Sequence, residues 1–95
     1  INDYGQVDIL VFSAWNGLAA CFEAQGQVLK AAQKYQEYVE VYGGTMQAAL
    51  ALLEAGRCYG LAGEAANQKM VLDRITREYA DSPAAVKARE QKDML

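Results

Sequence analysis

The chain has 95 residues, enough for one modest core and one domain. Its apolar fraction of 53% and charged fraction of 22% are those of a folded globular chain, which excludes the disordered and collagen-like classes. Twelve acidic and nine basic residues are scattered along it, for a net charge of -3. That pattern offers no basic block for phosphates and excludes nucleic acid as the expected partner.

Ala, Leu, Gln, Glu and Lys dominate and proline occurs once, at Pro83, so the expected fold is all-α. Apolar stretches such as residues 48–53 are far shorter than the roughly 20 residues that span a bilayer, so no membrane-spanning segment is expected. The chain opens on Ile1 rather than Met, which reads as a processed or excised fragment with any signal peptide or anchor upstream.

In chain order, residues 1–7 read as the tail of a preceding element or a linker. Asp8 then reads as a helix N-cap, followed by Phe12, Trp15, Leu18, Ala19 and Phe22 at the spacing of one helical face. Gly26 supplies a turn, and a second helix carries Val28, Ala31, Ala32, Tyr35, Tyr38 and Tyr42 until Gly43 and Gly44 break it. Thr45 caps a third helix, in which Leu52, Gly56 and Tyr59 face Val71, Leu72, Ile75 and Tyr79 of a fourth across a turn at Gly63. Ser82 and Pro83, an N-cap and a first-turn proline, start a fifth helix that runs to near the end.

The helices are not independent of one another. Asp8, Thr45 and Ser82 are spaced 37 residues apart, and the same shift superimposes Phe12 on Ala49, Ala14 on Ala51, Cys21 on Cys58, Gly26 on Gly63 and Tyr42 on Tyr79. The expected units are therefore residues 8–44, residues 45–81, and residues 82–95 as the first helix of a third unit or a capping helix. In the third unit Arg89, Lys92 and Asp93 replace Trp15, Leu18 and Ala19, as a helix with a wet outer face would. Small residues such as Ala19, Ala31 and Gly56 allow close helix approach, and Gln68, standing where Ala31 stands, predicts a looser second hairpin.

Ala14-Trp15, Leu18-Ala19, Phe22, Gly26, Ala31 and Tyr35 resemble the tetratricopeptide consensus over nearly the whole chain, from about Asp8 to Ala88. The period of 37 and the closing segment from Glu78 to Pro83 are similar to the variety found in bacterial envelope proteins, the outer-membrane assembly lipoproteins and the Tol-Pal-associated proteins. The resemblance implies a right-handed superhelical array of antiparallel helical hairpins that binds a peptide or partner protein. It also implies a place in the periplasm or cell envelope, with the cytoplasm as the alternative.

No histidine and no C-x-x-C pair are present, so neither a metal nor a cofactor is expected. The carboxylates and Ser13 and Ser82 form no catalytic constellation, so the chain reads as non-enzymatic. Cys21 and Cys58 read as buried small residues, since equivalent positions on adjacent helices lie about 8 to 10 Å apart, beyond disulfide reach. Gly56, Gly60 and Gly63 lack the strand and the Lys of a phosphate loop, and the tyrosine stripe at 35, 38 and 42 lacks a basic groove, so it reads as core. In the array the resemblance implies, the first helices line a concave groove, with Asn16, Ala20, Glu23, Leu50, Leu53 and Arg57 as the candidate partner contacts. Leu50 and Leu53 are expected to be exposed in the groove, either as anchors for a peptide or partner helix or as packing sites for a flanking helix or a symmetry mate, and Arg57 to pair with Glu54. The alternative function is a structural one, capping or self-association within a longer repeat protein, with homo-oligomer formation as its consequence.

Overall fold

A computed structural model describes the backbone of residues 3–95 and the side chains of residues 11–95. Among the described residues every regular element is a helix: α1 (Asp3–Ala24), α2 (Val28–Tyr42), α3 (Met46–Leu61), α4 (Ala65–Glu78) and α5 (Pro83–Asp93). No helix is long and apolar enough to cross a membrane among these residues.

The two turn glycines act as expected. Gly26 and Gly63 adopt φ of 78° and 77°, the left-handed region that side chains with a Cβ resist. Each closes the same motif. Gln27 N–H donates to Phe22 O at 2.8 Å and Gly26 N–H to Glu23 O at 3.0 Å, while Glu64 N–H donates to Tyr59 O at 2.8 Å and Gly63 N–H to Gly60 O at 3.2 Å. These paired bonds satisfy carbonyls that a helix end leaves free and fold the chain back at once.

The helix starts agree less uniformly. Ser82 caps α5, accepting from Ala85 N–H at 3.3 Å while its hydroxyl donates to Tyr79 O at 2.6 Å. Thr45 occupies the cap position of α3, but its hydroxyl donates backward to Tyr42 O at 2.8 Å and makes no cap bond. Asp8 is not a cap, because α1 is already helical from Asp3 and runs through it. The expected boundary between residues 7 and 8 therefore falls inside a helix; residues 1 and 2 of the expected tail, and the Asp8 side chain, lie outside the described residues.

Consecutive helices pack on one another, and α1 and α5 each also touch α3. Among the described residues α3 is thus the one helix in contact with all four others, while the backbones of α2 and α4 stay apart. Leu52, Leu72 and Ile75 are fully buried between α3 and α4, each contributing about 1.5 to 3 kcal/mol of burial free energy. The tyrosine stripe is core: Tyr35 and Tyr38 are buried, and the Tyr38 ring lies edge-on to Phe12 and Trp15 at 5.3 and 6.0 Å.

Gly56 is where the second hairpin closes most tightly, since a Cβ there would lie 3.2 Å from Val71 Cγ2 and 3.4 Å from Leu72 Cδ2. The looseness expected from Gln68 does not occur. Its side chain lies over Gly60, whose hypothetical Cβ would fall 2.8 Å from Gln68 Nε2. The counterparts of Gly60 and Gln68 in the first hairpin are Glu23 and Ala31, so the large and the small residue have exchanged helices.

Three burial expectations are overturned. Leu18 is 46% exposed and Cys21 is exposed, because both fall on the flank of α1 away from α2. A step of three residues falls about 60° short of a full turn, which carries Leu18 round from the face that Trp15 occupies. Leu53, expected to be exposed, is buried at 9%, because the neighbours on every side of α3 close over it. Cys58 is buried as expected, and both thiols are free.

Candidate groove wall

Helices α1 and α3 place five of the six expected contact residues on accessible surface. Asn16, Ala20 and Arg57 are exposed, Glu23 is half-buried and Leu50 is 45% exposed, while Leu53 is the exception. Helix α5 adds Lys87 and Glu90, both exposed.

The polar members are already engaged with one another. Arg57 donates from Nη1 and Nη2 to the two carboxylate oxygens of Glu23 at 2.8 Å each, and from Nε to Glu54 Oε2 at 3.0 Å. The expected pairing with Glu54 is therefore present, and a second carboxylate, from α1, completes the fork. Such bidentate geometry is the favourable form of the Arg–carboxylate pair. The Arg57 hydrogen bonds hold the Glu23 carboxyl below its ordinary range and, in return, push the guanidinium above its own. Cys58 Sγ lies 3.9 Å from Glu23 Oε1, and burial pushes this thiol up to about 11.

Asn16 has a comparable role. Its Oδ1 accepts from Tyr35 OH at 2.5 Å, which satisfies a buried phenol that burial, with Glu54 next, pushes up to about 12. Sequence reasoning missed this bond and the Glu23 contact. Asn16 and Tyr35 lie on different helices of one hairpin, and their coinciding heights along the pair are the one signal that could have found them.

Beyond Arg57 the wall ends in a recess of about 430 Å³ lined by Arg57, Gly60, Leu61, Gln68, Gln91 and Met94. Leu61 is 64% exposed and Met94 84% exposed, so the recess is apolar on one side and amide-rich on the other. Among the described residues no group of three or more His, Cys, Asp or Glu side chains is placed to hold a metal ion.

Comparison with protein-family models, with curated proteins and with solved structures returns no match to this chain.

Proposed function

We propose that the chain is a non-catalytic, tetratricopeptide-like scaffold that binds a peptide or partner protein along the α1–α3–α5 wall. The observation that carries this reading is Leu50: a leucine 45% exposed on the wall in the middle of α3, between Ala49 and Ala51, which are buried, and close to Leu52 and Leu53, which are buried in the core. An exposed leucine bordered by engaged polar groups is the pattern of an anchor point for an extended or helical segment. The 37-residue recurrence of the turns at Gly26 and Gly63 supports the array geometry, in which hairpins stack as a right-handed superhelix. The period and the closing segment from Glu78 to Pro83 favour a bacterial cell-envelope setting.

The test is selection of peptides from a displayed random library on the immobilised protein, followed by chemical-shift mapping of the enriched peptides. Enriched peptides are expected to shift the amides around Ala20, Leu50 and Arg57 and to lose binding to Leu50→Asp and Arg57→Glu variants. Equal binding to the parent and to both folded variants overturns the proposal. Exposed Leu18 favours the second reading, a self-association module, which does not use this wall.

A further inference from the structure

The two arginines of α4 are paired less fully than the one on α3. Arg57 donates three hydrogen bonds to two carboxylates, those of Glu23 and Glu54. Arg74 and Arg77 share a single carboxylate, that of Glu78. Arg74 reaches it through Nε at 3.3 Å, while Arg77 Nη2 lies 3.7 Å away, beyond hydrogen-bond length. Among the described residues the terminal nitrogens of Arg74 therefore donate to no protein acceptor, although only 31% of this side chain is exposed. A guanidinium so far withdrawn from water, with its fork unmet, is one acceptor short.

Both arginines line a cleft of about 320 Å³ between α2 and α4, together with Gln36, Asn67, Met70 and Glu78. Two guanidiniums against one carboxylate leave this lining with an excess positive charge. The neighbouring acids do not cancel it: on α2, Glu37 is paired with Lys34, and Glu40 lines an adjacent hollow, neither within ion-pair distance of Arg74 or Arg77. On α4, Asp73 is taken by Lys92. Gln36 spends one N–H on Tyr59 OH, at 2.6 Å, which leaves its carbonyl oxygen to accept, and Asn67 has no protein partner among the described residues. Met70, 63% exposed, adds an apolar lip. The charge calls for an anion and the amide oxygens beside it for N–H donors. An acidic side chain on a peptide backbone carries both, with its methylenes against Met70.

We infer that the α2–α4 cleft is a second binding site, which takes an aspartate or glutamate side chain of a partner peptide between Arg74 and Arg77. It shares no lining residue with the α1–α3–α5 wall, so the two sites are occupied independently. Glu78 is then the internal acceptor against which the incoming carboxylate competes.

Titration of the full chain with a blocked peptide of alternating glutamate and glycine, followed through the arginine Nε–H and side-chain amide NMR signals, tests this. The signals of Arg74, Arg77 and Asn67 are expected to move and that of Arg57 to stay, with the glutamine counterpart of the peptide inert. Arg74→Gln is expected to weaken binding about tenfold, the worth of a charge-assisted hydrogen bond, and the more exposed Arg77→Gln about threefold. Glu78→Gln removes the competing acceptor and keeps both donors, so it is expected to tighten binding, an effect that a merely structural ion pair would not give. Leu50→Asp, on the wall, is expected to leave it unchanged, which keeps a failure here distinct from a failure of the wall. Arginine signals that do not move overturn the inference, as do equal shifts from the glutamine peptide or binding to Glu78→Gln no tighter than to the parent. Saturation by inorganic phosphate at an equal or lower concentration overturns it too, by making the cleft a general anion site.

Discussion

Arg57 and Glu23, 34 residues apart in the chain, face each other as a two-bond fork with both contacts at 2.8 Å. This ion pair spans α1 and α3, which otherwise touch little, and so it ties the two hairpins together on the wall side. Both side chains remain partly exposed, so solvent screens the attraction and keeps its worth near the upper end of the surface range, about 0.5 to 1 kcal/mol. Glu23→Gln should lose that amount in urea denaturation at neutral pH. The folded-state pKa of Glu23 is depressed, so its contribution is complete above the unfolded carboxyl value of about 4.3 and is lost as pH falls through the folded value. The difference between the parent and Glu23→Gln should therefore shrink below about pH 4. A difference that stays constant with pH would show that the pair contributes nothing through its charge.

Gly60 and Gln68 should behave as one unit. Alanine at position 60 gains up to about 1 kcal/mol of helix propensity. In the parent it must also displace the Gln68 amide, 2.8 Å from the new Cβ. Gly60→Ala is expected to stabilise the Gln68→Ala protein by about 1 kcal/mol and the parent by clearly less, a coupling readable from a double-mutant cycle. Additive effects would mean that the two residues do not share the space.

Leu50 and Leu53, one turn apart, should separate sharply. Leu53→Asp puts a carboxylate at a 9% exposed core position and should cost about 3 kcal/mol or more, enough to unfold a small domain. Leu50→Asp, at a 45% exposed position, should change the thermal midpoint by no more than a few degrees. Circular dichroism melts of the two proteins decide the matter, and similar losses would place both leucines in the core.

The thiols should differ in the same way. Cys21 is exposed, whereas Cys58 is fully buried and its thiol is pushed up to about 11, so at pH 8 it remains protonated and shielded. Titration with a thiol reagent at pH 8 should find one reactive group in the native protein and two in denaturant. Rapid native labelling of both would contradict the burial of Cys58.

What could be read from the sequence was local. Gly26 and Gly63 reveal themselves because a turn with positive φ selects glycine whatever surrounds it. Ser82 followed by Pro83 is a similarly self-contained signal. Leu18, Cys21 and Leu53 were misplaced because helical periodicity shows which side of a helix is apolar but not how many neighbours close over it. Among the described residues α3 has four neighbouring helices and α1 has two, and that difference decides their burial. The fork between Arg57 and Glu23 lay out of reach for a related reason. It depends on the height of one helix against another, which the chain between them sets only through the packing of the turn at Gly26 and of α2.

The gap between α2 and α4 has a mechanical consequence. A cleft of about 320 Å³, lined by Gln36, Met70, Arg74 and Arg77 among others, separates these outer helices. On that side the direct ties between the hairpins include Gln36 to Tyr59 at 2.6 Å and Tyr79 to the Gly43 carbonyl at 2.6 Å. The two hairpins are therefore held to each other on both sides of α3, by the Arg57–Glu23 fork at the wall and by these two bonds at the cleft, so an occupant that spread the wall would strain the fork first.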